Sequence, residues 1–367
     1  MKFSINRESL LRPLQQVSGV VERRQTLPIL SNLLLRVSGS KLSMTGTDLE
    51  VEMVSQLNAS VDLEGDITVP ARKFVDICRE LPDQAEIDVT LKEDRLEIRS
   101  GRFRSNLSTL PAADFPAVEV ADAERQGTIP ASEMKSLLDL TAFAMAQQDV
   151  RYFLNGMLIE ETGGTLKCVA TDGHRLAMNY HELGNGGSEV DQQVIIPRKG
   201  VLELQRLLND CDGDVELAFG GSHLRLSTGA FELTTKLVDG RFPDYERVIP
   251  RNGDKHVLAN KQDLRRALNR TAILSNEKFR GIRVNFSEGL VTLSTNNPEQ
   301  EDAEETVPVD YQGSPLEIGF NVGYLLDVLN VIRGDTVKIT VFDGNSSALI
   351  EDPSVENALY VIMPMKL

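Results

Sequence analysis

"YFLNGMLIEETGGTLKCVATDGHRLAMN", residues 152–179, decides the fold, because the chain uses its pattern three times. Its counterparts are "LPILSNLLLRVSGSKLSMTGTDLEVEMV" from Leu27 and "EKFRGIRVNFSEGLVTLSTNNPEQEDAEE" from Glu277. Each sets two alternating apolar runs around a turn containing glycine, which is a hairpin signal. A helix-like block precedes each: "SINRESLLRPLQQVSGVV" from Ser4, "IPASEMKSLLDLTAFAMA" from Ile129 and "LANKQDLRRALNRTAILSN" from Leu258. All three carry Ser, Asn or Asp near the start, then apolar residues at spacings of three and four, as a capped amphipathic helix requires.

A second helix follows in "VPARKFVDICRELP", "IPRKGVLELQRLLND" and "FNVGYLLDVLNVIRGD". A closing hairpin follows that: "EIDVTLKEDRLEIRSGRFRSNLSTL", "VELAFGGSHLRLSTGAFELTTKL" and "VKITVFDGNSSALIEDPSVENALYVIMPM". Corresponding blocks lie about 125 residues apart, the size of one domain. The polar stretches "EVADAERQG" and "IPRNGDKH" mark the boundaries. The expected architecture is α+β: three domains, 1–125, 126–250 and 251–367, each with two helices on antiparallel sheets.

The 367 residues carry a net charge of −16, so general attraction to nucleic acid is not expected. Three widely spaced cysteines without a CxxC read as reduced thiols, with neither a disulfide frame nor a zinc site. "MKFSINRESL" has no apolar h-region, and no apolar run approaches a membrane span, so a cytoplasmic protein with no membrane partner is expected. Trp is absent and aromatics are 5%, too few for a single-strand stacking platform.

The charge is unevenly placed. The helical segments sum to roughly +5, leaving about −21 elsewhere, so the helices are the part suited to a polyanion. Among these cations are Arg7, Arg12, Arg72, Lys73, Arg79, Arg198, Lys199, Arg206, Lys261, Arg265, Arg266 and Arg270. The first closing hairpin places Arg95, Glu97 and Arg99 on one face, with Arg102 and Arg104 continuing it. The third domain carries Glu299, Glu301, Asp302, Glu304 and Glu305. A basic and an acidic end on one chain suit head-to-tail association, which closes a ring if the rotation allows. A domain of this size is roughly 35 Å wide, so three leave a hole of about 3 Å radius and six about 18 Å. Six admit a duplex of roughly 10 Å radius. Two chains make the smallest ring that works.

"ATDGHRLA" invites a catalytic reading through Asp172 and His174, with Arg175 as an anion clamp. Thr171 and Asp172 recur as Thr47 and Asp48, which reads as turn chemistry; Gly173, His174 and Arg175 are special to the second repeat. No nucleotide-binding, zinc or nucleophile-elbow motif accompanies them. A binding surface fits better: Leu154, Thr171, Gly173, His174, Arg175 and Leu176, with Pro243, Arg247 and Val248 of "KLVDGRFPDYERV". The tail "YVIMPMKL" ends in Met and Leu, an adaptable lining for apolar side chains. A scaffold that binds proteins only, as a monomer, is the third alternative.

"TLPILSNLLL", "VPARKF", "STLPAADFP", "QDVRYFLNGM", "VATDGHRLA", "IPRKGV", "KLVDGRFPDY", "AILSNEKFRG", "NNPEQE" and "MPMKL" together resemble the bacterial DNA polymerase sliding clamps over the whole chain. The resemblance implies a head-to-tail dimeric ring with helices lining the pore, encircling duplex DNA without sequence preference, without catalysis and without a cofactor. It implies tethering, through a short apolar peptide, of the replicative polymerase α subunit, the clamp loader, repair and translesion polymerases and other proteins carrying a clamp-binding motif. It implies work in the cytoplasm at replication forks on the nucleoid.

Carried over residue by residue, the groove adds Phe279, Asn321, Tyr324, Ser347, Val361, Ile362, Met363, Pro364, Met365 and Leu367 to the nine above. The DNA contacts become Arg24, Arg72, Gln148, Tyr152 and Phe153. The dimer seam joins Arg95, Arg102, Arg104 and Leu107 to Ile273, Leu274, Glu299, Glu301 and Glu304. Phe153 stands where a second Tyr is common and Ser105 where a seam aromatic can sit. Asn345 replaces an apolar groove residue, and Lys366 an Arg.

Overall fold

The computed structural model describes the chain except residues 23–26, 117, 119–124, 184–191, 252 and 367. The first repeat runs β1 (Lys2–Asn6), α1 (Arg7–Gly19), β2 (Asn32–Ser38), β3 (Lys41–Thr47), β4 (Val51–Asn58), β5 (Ser60–Leu63), β6 (Gly65–Pro70), α2 (Ala71–Glu80), β7 (Glu86–Lys92), β8 (Arg95–Ser100) and β9 (Phe103–Ser108). The second runs β10 (Arg125–Pro130), α3 (Ala131–Asp139), β11 (Gly156–Thr162), β12 (Thr165–Thr171), β13 (Arg175–Glu182), β14 (Gln192–Pro197), α4 (Arg198–Leu208), β15 (Asp214–Gly220), β16 (His223–Ser227) and β17 (Phe231–Lys236). The third runs β18 (Lys255–Asn260), α5 (Lys261–Ala272), β19 (Gly281–Ser287), β20 (Leu290–Asn296), β21 (Asp302–Asp310), β22 (Leu316–Asn321), α6 (Val322–Val331), β23 (Thr336–Val341), β24 (Ala348–Glu351) and β25 (Ala358–Ile362).

Each helix-like block therefore opens with a strand. Asn6 and Asn260 end those strands and cap the helices that follow: Asn6 Oδ1 accepts from Glu8 N at 3.0 Å, and Asn260 Oδ1 from Gln262 N at 3.0 Å and Asp263 N at 3.1 Å. Leu10, Leu14 and Val17 then fall on one buried stripe of α1, and Leu264, Ala267, Leu268 and Thr271 on one stripe of α5. The expected strand pairs are three-strand meanders, as are the closing hairpins.

The strands sort into two recurring sets of four. One is β6-β2-β3-β4, repeated as β14-β11-β12-β13 and β22-β19-β20-β21. The other is β1-β7-β8-β9, repeated as β10-β15-β16-β17 and β18-β23-β24-β25. The last strand of one repeat joins the inner set of the repeat before it. β17 pairs antiparallel with β4, Leu233 opposite Met53. β25 pairs antiparallel with β13, Tyr360 opposite Ala177. These seams explain why the compact units are two: Met1–Met134 with Lys199–Leu237, and Lys135–Arg198 with Val238–Leu367.

Two long edges lack a seam partner. β9 ends its five-stranded sheet. β21 pairs along one side with β20, while its other side meets β18 only at Leu258 and Ala259, opposite Asp310 and Val309. Its segment from Asp302 to Pro308 has no strand on that side among the described residues.

Many helical cations are less available than the sequence suggests. Arg7 donates to the carbonyls of Cys78 and Arg79, at 3.0 and 2.9 Å. Arg12 donates to Asp210 O, and Arg206 to Gln16 O. Lys199 is held by Glu22 and Asp48. Arg270 pairs with Glu305. Arg72, Lys73 and Arg266 stand exposed. Cys78 and Cys168 are buried, and burial pushes both thiols up to about 12, so they are packing residues. No helix among the described residues is long and apolar enough to cross a membrane.

Candidate peptide-binding groove

The turn from β12 into β13 is built by Asp172 and Thr171. The Asp172 carboxylate accepts from the backbone N–H groups of His174 and Arg175, at 2.9 and 3.0 Å. Thr171 Oγ1 donates to Arg175 O at 2.6 Å and accepts from Gly173 N at 3.1 Å. The first repeat makes the same turn: Asp48 accepts from Glu50 N and Val51 N, and Thr47 Oγ1 donates to Val51 O. The residue after the Asp has positive φ in both, +87° at Gly173 and +79° at Leu49. A β-carbon at Gly173 would also lie 2.9 Å from the Arg151 guanidinium, which would have to shift, so glycine suits the position, although Leu49 holds the same conformation in the first repeat.

This geometry removes the acid–base reading. Asp172 holds the backbone N–H of His174, and its other carboxylate oxygen takes Arg175 Nε at 3.1 Å. Asp172 and His174 sit in a turn, not on one strand face. Arg175 is no open anion clamp either. Its side chain is 11% exposed and pairs with Asp172 and with Asp327, at 2.5 Å to the latter. A third bond reaches Phe143 O at 2.8 Å. Its guanidinium lies 5.3 Å from the Phe143 ring centre and 4.6 Å from that of Tyr324, at cation–π distance. The His174 ring stacks on Tyr324, 6.3 Å between centres and 18° between planes. Arg175 is thus a strut that fixes Tyr324.

Leu154, Leu176 and Val361 share one buried apolar cluster with Phe242 and Tyr245, the candidate floor. The chain carrying Pro243, Arg247 and Val248 is the candidate wall. Val248 is 38% exposed, and Arg247 pairs with Asp244 at 2.7 Å. The wall is fastened from behind: Tyr245 Oη donates to the buried Glu160 at 3.0 Å, and the same carboxylate takes Lys167 at 3.2 Å and Gln193 at 2.5 Å. Burial, then Glu160, pushes the Tyr245 hydroxyl well above its usual range, so it stays a donor.

Opposite lies the tail. It leaves β25 and is pinned by Met363 N to His174 O at 2.9 Å and by Met365 N to Gly319 O at 2.8 Å. Those two bonds leave Met363, Pro364 and Met365 half-buried along the surface. Ile362 is buried, and Ser347 is half-buried just before β24. Asn321 caps α6 through Gly323 N and reaches Phe279 O with its amide; Phe279 itself is 55% exposed. Leu367 lies outside the described residues.

Removing the buried fastening has a defined expected outcome. Glu160→Leu leaves the Tyr245 hydroxyl and the Lys167 ammonium without their acceptor, a cost of about 2–4 kcal/mol. Hydrogen exchange in residues 239–250 should rise, while Glu160→Gln, which keeps an acceptor oxygen, should restore most of the protection. Equal protection in wild type and Glu160→Leu would show that the wall does not depend on this acid.

The DNA-facing candidates fall in separate places. Arg24 lies outside the described residues. Arg72 is exposed on the first turn of α2. Gln148 has φ of +56° on the loop before β11, beside Val150 at 96% exposure and Tyr152 at 57%. Phe153 packs edge-on against Tyr152, 5.8 Å between ring centres, and is half-buried against the groove floor. Asp149 is held down at about 2 by Arg151.

The seam candidates need one correction. Arg99 faces Arg104 across the hairpin, so Arg95, Glu97, Arg99 and Arg104 share a face, but Arg102 occupies the two-residue turn and belongs to neither strand. The two-residue turn puts even-numbered Arg104 on the face of the odd-numbered residues of β8, but Arg102, inside the turn, takes no part in the strand alternation. Glu97 is buried among Lys92, Arg99 and Arg104, which hold its carboxyl down at about 2. Leu107 is buried, Leu274 half-buried and Ile273 77% exposed beyond α5. Glu299 and Glu304 are exposed, and Glu301 is tied to Asn297.

Sequence reasoning missed Asp327, Phe143 and Glu160. Each acts across a large sequence separation and carries no local signal.

Known proteins share this fold. The family described as DNA polymerase III beta subunit matches through its N-terminal domain at residues 1–119, its central domain at 128–244 and its C-terminal domain at 246–366. A beta sliding clamp of Pseudomonas aeruginosa is 57% identical, covering all of both chains. The crystal structure of a DNA polymerase III β subunit from that organism superposes with a TM-score of 0.98 at 56% identity over all of both chains. A sliding clamp from the same species bound to griselimycin superposes at 0.97, again with 56% identity and complete coverage of both.

Proposed function

The chain belongs to the DNA polymerase III β-subunit family, the sliding clamps, and from that premise we propose how its surfaces carry out the work. It is a non-catalytic processivity factor of DNA replication. Two chains close head to tail into a ring of six repeats, with boundaries at 1–125, 126–250 and 251–367. The ring encircles duplex DNA in the cytoplasm, at forks on the nucleoid. Arg24, Arg72, Gln148, Tyr152 and Phe153 face the duplex. Retention is topological, so contacts to phosphate stay weak and the ring slides. The groove from Leu154 to Met365, with Leu367, takes the apolar peptide of the polymerase α subunit, the clamp loader, repair and translesion polymerases and other motif-bearing partners. Tethering raises the polymerase's effective concentration at the primer end.

The observation that carries the ring is the shared register of the two internal seams. Leu233 opposite Met53 and Tyr360 opposite Ala177 are equivalent pairs. Their counterparts on the two unpaired edges are Ser105 of β9 and Ala303 of β21. An intermolecular seam of the same register sets Arg104 against Glu304 of the partner subunit, and Asn106 against Asp302 of the partner subunit. Two small residues at its centre, Ser105 and Ala303, make this seam less filled than the internal ones.

The test is retention. The protein is loaded by a clamp loader onto nicked circular DNA, the salt is raised, and the circle is cut. Survival at high salt with release on cutting is expected. Loss from the intact circle at high salt, after confirmed loading, would mean ordinary electrostatic binding instead.

A further inference from the structure

A cavity of about 390 Å³ lies beside β19, β20 and the tail. Phe279 and Met365, both assigned above to the proposed groove, are among its lining residues, which sets the cavity next to the proposed peptide path. Its other lining comes from β19 and β20, where Arg283 lies opposite Ser294 with Asn296 two residues on, from Asn276 ahead of β19, and from Lys366 of the tail. Among the described residues no carboxylate lines it. Asp302 and Glu304 stand on the same face one strand beyond, opposite Asn296 and Ser294, and bound the site on the side of β21. Arg283 makes one long hydrogen bond among the described residues, 3.5 Å to Asn296 Oδ1. A guanidinium carries five donors in a fork suited to a carboxylate, so most of this one is uncommitted.

We propose that this cavity is a flanking subsite, which takes an acidic residue adjoining the apolar peptide and pairs it with Arg283. The proposal rests on the groove reading above. It gives partners with an acidic flank an advantage over partners whose apolar core is the same, and so a means of ranking them at one groove.

The test uses the full chain and synthetic peptides with the core Gln-Leu-Ser-Leu-Phe, read by fluorescence anisotropy at low ionic strength. The core carries Asp-Asp, Gly-Gly or Lys-Lys at one end or the other. One of the two Asp-Asp peptides is expected to bind about five- to tenfold more tightly than its Gly-Gly counterpart. Arg283→Ser should abolish that advantage and leave the unextended core unchanged, and Arg283→Glu should transfer the preference to Lys-Lys. No advantage at either end would overturn the subsite, and so would an advantage that survives Arg283→Glu, since general attraction would then explain it. Tyr324→Ala separates the two readings. Unchanged binding of the core peptide to Tyr324→Ala would overturn the groove and the subsite together. Loss of core binding there, with no effect of the Asp flank in wild type, would overturn the subsite alone.

Discussion

Arg104→Glu is expected to weaken the dimer on the order of a hundredfold at low ionic strength. In the proposed register Arg104 faces Glu304 of the partner subunit, and a ring has two such seams. Each seam exchanges an attractive cross-strand pair for a repulsive one, about 1–1.5 kcal/mol, or 2–3 kcal/mol per ring. The substitution also sets a second carboxylate beside Glu97, which Lys92 and Arg99 would then hold without Arg104. Sedimentation equilibrium at low and high salt measures both the loss and its screening. The exchange pair Arg104→Glu with Glu304→Arg should recover most of the affinity. Recovery is the decisive result, because a wrong register would leave the double variant as weak as the single one.

Arg175→Ala is the second large effect. It leaves Asp172 and Asp327 without their shared cation, and Tyr324 without the guanidinium beneath its ring. Breaking a buried pair costs about 3–5 kcal/mol; the open side of Asp327, 44% exposed, brings the expectation to about 2–4 kcal/mol. Thermal unfolding should begin several degrees earlier, and affinity for the apolar peptide should fall at least tenfold as Tyr324 loses its fixed position. Arg175→Lys should recover little, because an ammonium cannot serve two carboxylates and a carbonyl in one plane. A variant with unaltered melting and unaltered peptide affinity would return Arg175 to the role of a surface contact. The dimer constant should not move, since no edge strand of the seam is touched.

The sequence carried the repeat plainly, because the hairpin turns and apolar periods are local. It also carried the turn: Thr171 and Asp172 recur as Thr47 and Asp48, and both pairs make the same bonds. It could not show that Arg175 is spent inside the protein, since Asp327 lies 152 residues away and Phe143 offers only a carbonyl and a ring. Glu160 was invisible for the same reason: an acid in an apolar strand looks like any solvent-facing position until Tyr245, Lys167 and Gln193 arrive. Charge counting along helices overestimated the free cations, because Arg7, Lys199 and Arg206 meet carbonyls and carboxylates from distant segments. Arg102 was misplaced by a turn whose length, not its composition, decides the face.

The two unpaired edges have a consequence for a chain that has not yet met its partner. An open strand is a template that recruits any other, and misjoined strands are a route to insoluble aggregates. Here β9 copies would approach each other with Arg104 on the edge and Arg99 one strand behind it, and β21 copies with Asp302, Glu304 and Glu305. Like edges therefore repel, and only unlike edges are left to join. A newly made chain is protected from its own copies by the same side chains that later choose the correct one, and this protection fades as salt rises. Aggregation of isolated chains should grow with ionic strength over the range in which the seam itself weakens.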